Sequence, residues 1–310
     1  MADTQCAQLF GDVHRNDVLV VLGDDSCFVS SLDGAPLGPV LSAKMRIGAT
    51  AAMLPSRDVV AVAYFEGRIA AYDWRSGALI WELDGYSEVS EILCLDNDSF
   101  LILQLSGELA EIDAETGEAM GTLGGVVYAI ADSTRPILVL LRAVGPRRRA
   151  SKYVLELRGS LSRETAIIRR ETGSRSIAGA AFGDSWLALS ELQWGEILAM
   201  DLHGNELWRR APDGEVVRFQ GSGEGRDRGF QCLSRAPDSS WLFALQWPKK
   251  GGIPIEGVLI DPRDGSLIGQ AALPNACWGI PVANGSALVS TSGLLSLPEM
   301  IWTPRSFGAP

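Results

Sequence analysis

Apolar and polar positions alternate along this chain in runs of four to seven residues, and the runs are joined by tight polar turns. Residues 67–73 read as a short strand ending in Asp73, residues 74–77 as a turn closed by Gly77, and residues 78–81 as a second strand ending in Trp81. An Asp carboxylate accepts backbone N–H groups two or three residues on, and Gly supplies a positive φ, so this is hairpin chemistry. The phrase returns where residues 107–113 lead into Thr116 and Gly117. It returns again where residues 195–201 lead into Gly204 and Trp208, and where residues 257–261 lead into Gly265. Weaker copies lie at residues 27–34, 153–159 and 293–298.

Taking Ser31, Asp73, Asp113, Glu156, Asp201, Asp261 and Ser296 as equivalent turn positions, the intervals are 42, 40, 43, 45, 60 and 35 residues. Seven copies at this period fit a repeat of four strands per copy. Two further strands precede each hairpin. They are expected at 47–54 and 58–65, at 89–95 and 100–105, at 126–131 and 137–143, and at 177–182 and 186–192. The second of each pair is the most apolar, as suits a strand covered on both faces. No segment sustains a helical period. The pattern predicts an all-β fold, a seven-bladed β-propeller of four-stranded antiparallel blades. It forms one domain over residues 1–310, with a loop insertion at about 211–229. An N-terminal strand near residues 6–10 either completes blade one or latches onto blade seven.

The run Ala71, Asp73, Ser76, Gly77 and Trp81 resembles the blade motif of the pyrroloquinoline-quinone-like (quinoprotein-type) propellers, A-x-D-x-x-T/S-G-x-x-x-W. Asp113, Thr116 and Gly117 are similar but incomplete, and the turn from Asp201 to Trp208 is one residue shorter. The Trp-Asp dipeptide of WD repeats is absent from the sequence. The resemblance implies the fold. It leaves function open, because propellers host enzymes, scaffolds and binding modules. Quinone-dependent relatives hold a calcium or lanthanide ion beside the quinone and often a vicinal disulfide. Here no two cysteines are adjacent and the repeat's carboxylates are engaged as turn residues, so no cofactor is expected.

The 38 carboxylates against 27 Lys and Arg give a net charge of −11, which argues against nucleic acid as a partner. The N-terminus has neither a basic nor an apolar signal region, and no apolar run approaches the ~20 residues of a membrane span. These features predict a cytoplasmic protein without a membrane role. Cys6, Cys27, Cys94, Cys232 and Cys277 form no C-x-x-C pair and read as reduced, buried thiols. His14 and His203 are the only histidines and read as surface residues; no metal site is expected. Residues 96–99 start like a calcium loop but lack its Gly and its closing Glu, and read as a turn. No G-x-S-x-G elbow or phosphate-cradling glycine loop is present. The inner strands are small and apolar, with Glu91 the exception.

In repeat proteins, departures from the period map to loops, often on the binding face. The 60-residue interval carries about 18 extra residues, including Arg226 and Arg228. Arg147, Arg148, Arg149 and Lys152 lie between the second and third strands of blade four, and Lys249 and Lys250 at the same connection of blade six. Trp194 lies at that connection in blade five. Loops between second and third strands and loops between blades emerge on one face of a propeller. These nine residues are therefore expected together, as a basic docking face on an acidic protein. Trp81, Trp208 and Trp302 are read instead as packing between blades.

The reading that follows is a non-enzymatic cytoplasmic propeller, monomeric when free, that binds an acidic protein partner through this face. An immunity protein or inhibitor of a toxin or enzyme is the leading role. The alternatives are an assembly scaffold and a quinone-dependent oxidoreductase or other enzyme using the central channel. The excess of Arg over Lys, with quinoprotein-like repeats, suggests a bacterial origin.

Overall fold

The computed structural model describes residues 6–22, 26–41, 50–64, 67–86, 88–144, 153–161, 168–172, 177–191, 196–211, 230–246, 255–274, 279–305 and 307. Its strands form seven antiparallel sheets in chain order. Blade one holds β1 (Cys6–Gly11), β2 (Asp17–Leu22) and β3 (Cys27–Ser31). Blade two holds β4 (Ala51–Met53), β5 (Val59–Ala63), β6 (Ile69–Asp73) and β7 (Ala78–Leu83). Blade three holds β8 (Val89–Leu95), β9 (Ser99–Gln104), β10 (Leu109–Asp113) and β11 (Ala119–Leu123). Blade four holds β12 (Val126–Ala131), β13 (Leu138–Ala143), β14 (Tyr153–Arg158) and β15 (Ile168–Thr172). Blade five holds β16 (Ile177–Phe182), β17 (Trp186–Glu191), β18 (Glu196–Asp201) and β19 (Glu206–Arg210). Blade six holds β20 (Phe230–Arg235), β21 (Leu242–Gln246), β22 (Ile255–Ile260) and β23 (Leu267–Leu273). Blade seven holds β24 (Ile280–Val282), β25 (Ala287–Ser290), β26 (Gly293–Ser296) and β27 (Ile301–Pro304).

The first strand of each blade is innermost. β1, β4, β8, β12, β16, β20 and β24 pack in succession, and β24 returns to β1, so the ring closes. The seven-bladed all-β architecture is the one the repeat predicts. Ring closure exchanges no strand: β1 belongs to blade one, and blade seven is built from its own four C-terminal strands.

Period-two alternation explains how the blades stack. Val18, Val20 and Leu22 of β2 point toward blade seven, whereas Leu19 and Val21 point toward blade two. Every blade does the same, so seven apolar clusters fill the seven gaps between neighbouring blades. The second strands are accordingly buried throughout, as in β9 and β21.

The repeat's turn chemistry is visible atom by atom. Asp73 Oδ1 accepts the Ser76 N–H at 2.8 Å and the Ser76 hydroxyl at 2.9 Å. Those bonds hold the Asp73 carboxyl below its ordinary value. Asp113 Oδ1 accepts the Glu115 and Thr116 N–H groups in the same way. Gly117, at φ +75°, closes that turn and also lies under Trp81 of the preceding blade, where a Cβ would come 3.0 Å from the indole. Trp81 Nε1 donates to Ala114 O at 2.9 Å. Trp208 repeats the arrangement on blade six, donating to Pro262 O at 2.7 Å over Gly265. Trp81 and Trp208 thus pack between blades, each fastening its blade to the next turn. Trp302 differs: it covers Gly293 of its own blade and joins the cluster between blades six and seven.

Two local readings change. Glu156 is not a turn residue. It lies inside β14, 2% exposed, and accepts from Arg142 and Arg158. That stretch has no Asp-and-Gly turn to mark the strand end, which falls at Arg158. Blade one also lacks a regular fourth strand among the described residues. Leu37 N–H and Leu41 N–H bond to Val29 O and Cys27 O, but Pro36, Gly38 and Pro39 keep the segment from forming a ladder.

Candidate functional site

Alternating strand direction gives the disc two faces. The loop face carries the turns between second and third strands and the connections between blades. The opposite face carries the turns between first and second strands and between third and fourth.

The nine predicted docking residues lie outside the described residues: Arg147, Arg148, Arg149, Lys152, Trp194, Arg226, Arg228, Lys249 and Lys250. The strands that bracket them all end on the loop face. They are β13 and β14, β17 and β18, β19 and β20, and β21 and β22. Two exposed apolar side chains stand at strand ends on the same face, Leu105 at 56% and Val144 at 44% exposure. Leu105 follows β9 of blade three, and Val144 follows β13 of blade four, directly before the Arg147–Arg149 run. Sequence reading missed these two because a single exposed apolar residue at a strand end has no pattern to distinguish it.

The central channel has polar groups at both ends. Near the loop face, Glu91 of β8 faces β12, and no hydrogen bond to it is present among the described residues. Desolvation pushes its carboxyl up to about 7. Burial and then the Glu91 charge push the Tyr128 hydroxyl above its ordinary value. The Glu91 carboxyl is neutral when folded below about pH 7 and ionises near 4.5 when unfolded. Its contribution to stability is therefore intact below the unfolded value and is lost as pH rises through about 7. Glu91→Gln should stabilise the fold by roughly 3 kcal/mol near pH 8 and leave it unchanged near pH 4. Urea denaturation at the two pH values checks this; equal stability of the two proteins near pH 8 contradicts it.

At the opposite end, the turn after β1 closes the channel mouth. Asp12 accepts the His14 N–H at 2.8 Å and a bond from Ser133 of blade four. Burial nevertheless raises its carboxyl above the ordinary value. His14 Nδ1 meets Asn284 Oδ1 of blade seven at 3.3 Å. His14 is thus partly buried at the channel mouth rather than a plain surface residue, and His203 lies apart from it in the Asp201 turn. A cavity of about 130 Å³ lies beneath this turn, bounded by blades one, four, five, six and seven. Around the ring, turns of this face clasp one another. Asn97 Oδ1 accepts the Ser56 N–H, Asn97 N–H donates to Ser133 O, and Arg135 donates to Gly183 O. Residues 96–98 are a turn and Ser99 opens β9; Asp96 and Asn97 are both at φ 55°, and the turn's polar atoms serve blade contacts.

Among the described residues no three His, Cys, Asp or Glu side chains converge as a metal site would require. Cys27 and Cys94 are buried free thiols. Burial pushes Cys27 up to about 12, which removes thiolate chemistry at neutral pH.

Residues 30–122, from the end of blade one through blade three, match the family model described as outer membrane protein assembly factor BamB. Over these residues the repeat is similar to the pyrroloquinoline-quinone-like type. The matched stretch includes both Asp-to-Gly turns and Trp81. BamB from Moraxella catarrhalis is similar over 94% of this chain and 79% of its own, at 15% identity and a TM-score of 0.56. The β-propeller domain of Cps50 (Swd1) from Myceliophteria thermophila is similar over 96% and 95%, at 11% identity and a TM-score of 0.65. The C-terminal WD40 domain of Sif2 is similar over 88% and 74%, at 13% identity and a TM-score of 0.60. At these identities the likeness is one of fold. A comparison with curated proteins finds no match. No helix among the described residues is long and apolar enough to cross a membrane.

Proposed function

We propose that this PQQ-like propeller is a protein-binding module that docks an acidic partner through its loop face. The observation that carries the reading is topological. Every strand pair bracketing the basic segments of blades four to six ends on that face, which also carries exposed Leu105 and Val144. Basic segments in the loops of one face of a protein of net charge −11 would steer an acidic partner to that side. The finer reading is a cytoplasmic immunity protein or inhibitor, monomeric when free, with an assembly scaffold as the alternative. An enzyme reading has one observation in its favour, the raised carboxyl of Glu91 near the Tyr128 hydroxyl in the channel.

The test is affinity capture from the native cell, beside a variant with Arg147, Arg148, Arg149, Lys249 and Lys250 changed to Glu. A stoichiometric partner held by the native protein should be weakened at least ~tenfold by the variant, since exposed charge pairs act together on association. Equal retention by the two proteins contradicts docking through this face.

A further inference from the structure

The channel-mouth cavity is lined by two oppositely charged residues, Asp12 and Arg235, that form no salt bridge among the described residues. Asp12, from blade one, lies within the electrostatic reach of His14 and Arg15, but the Arg15 guanidinium itself is engaged by Asp17, Leu54 O and Arg57 O. Arg235 lies at the end of β20. Its Nη1 is turned back on Ala236 O, Pro237 O and Ser239 Oγ, and its Nε and Nη2 donate to no described residue. The other charged groups facing the cavity are accounted for. Asp132 is held by Thr134 and Arg135, and His14 by Asn284. Between the charges the wall is apolar, from Phe182, Leu233 and Pro281. An apolar pocket with a few convergent polar groups is the common form of a small-molecule site.

We propose that this cavity binds a small zwitterion, an α-amino acid, with its ammonium on Asp12 and its carboxylate on Arg235. Two features select this class. Asp12 and Arg235 line one cavity without a salt bridge among the described residues, which calls for a ligand carrying both charges. The volume of about 130 Å³ sets the size: an engineered cavity of about 150 Å³ takes benzene, so the ligand has about six heavy atoms. The Ser133 hydroxyl, already bonded to Asp12, holds that carboxylate toward the blade-four side. The site is on the face opposite the proposed partner-docking loops, so the two readings stand or fall separately.

The experiment is calorimetric titration of the full chain with glycine, L-alanine, L-serine and L-proline. Glycolate and ethylamine, each carrying one of the two charges, serve as controls. The expected result is one-to-one binding of at least one amino acid, with both controls weaker by at least ~tenfold. Asp12→Asn and Arg235→Gln should each weaken the amino acid by a similar factor, with folding verified by circular dichroism. No binding of any amino acid up to ~10 mM overturns the proposal. So does binding of ethylamine or glycolate as tight as the amino acid, because one charge would then suffice. Unchanged binding by both folded variants places the ligand elsewhere and overturns it as well. Should either variant fail to fold, the comparison of amino acids with half-ligands still decides.

Discussion

Replacing Arg15 with Ala should cost about 3–5 kcal/mol of stability, the range for breaking a buried, fully bonded charge. Arg15 is 7% exposed and joins three blades. Its Nε and Nη2 fork onto Asp17 of its own blade, the second bond at 2.7 Å. Nη1 reaches Leu54 O at 2.7 Å and Arg57 O at 2.9 Å in blade two. Its own carbonyl accepts the Ala283 N–H of blade seven at 2.7 Å. The guanidinium also lies over the Trp74 ring, 5.6 Å from its centroid. Truncation leaves two carbonyls and the Asp17 carboxylate without their donor, and it loosens the junction where the ring closes without strand exchange. Arg15→Lys should recover only part of the loss, because an ammonium cannot reproduce the planar fork. Urea denaturation of the three proteins measures this. A loss below about 1 kcal/mol for Arg15→Ala would show that the closing junction depends on the apolar cluster alone.

Trp208→Ala should destabilise the protein by a similar amount, about 3–5 kcal/mol. The indole spans the gap between blades five and six. It lies flat enough on Gly265 that a Cβ there would come 2.7 Å from the ring, and its N–H donates to Pro262 O. Truncation removes that bond and opens a cavity against Ala199 and Ile260 in the cluster between the two blades. Trp208→Phe should recover the packing but not the hydrogen bond, and so fall between the two. Thermal unfolding followed by circular dichroism orders the three. A Trp208→Ala protein as stable as the native one would mean that blade five is held to blade six by other contacts.

Most of the fold was legible because each blade repeats one set of local instructions. Period-two alternation places strands, Asp and Gly place the third turn, and Trp marks the following strand. β8, β12 and β16 fall on the residues read for them. Legibility failed where an instruction was missing. At Glu156 no Asp-and-Gly turn marks the strand end, and a buried carboxylate flanked by Arg142 and Arg158 looks in sequence like any charged loop residue. In blade one, Pro36 and Pro39 preserve the place of a fourth strand without its ladder.

The channel was legible only in part. Glu91 stood out because a carboxylate interrupts an otherwise small and apolar inner strand. Asp12 and Arg235 did not, since each sits beside a short polar turn of the usual solvated composition. Only the closure of the ring, which brings turns of five blades to one mouth, places them on a common cavity. Trp81 and Trp208 were read as packing residues from their spacing alone, and their indole N–H bonds to the next blade supply the reason for that spacing.

The central claim is that a partner docks on the loop face. It is tested most directly by hydrogen–deuterium exchange of the propeller with and without its captured partner. Docking there predicts slowed exchange around Leu105 and Val144 and in the strand ends flanking the basic segments, β13–β14 and β21–β22. Exchange at Asp12–Arg15 and Ser133–Arg135, on the far side of the disc, should stay unchanged. Protection confined to that far side, with the loop-face strand ends unaffected, would contradict the account.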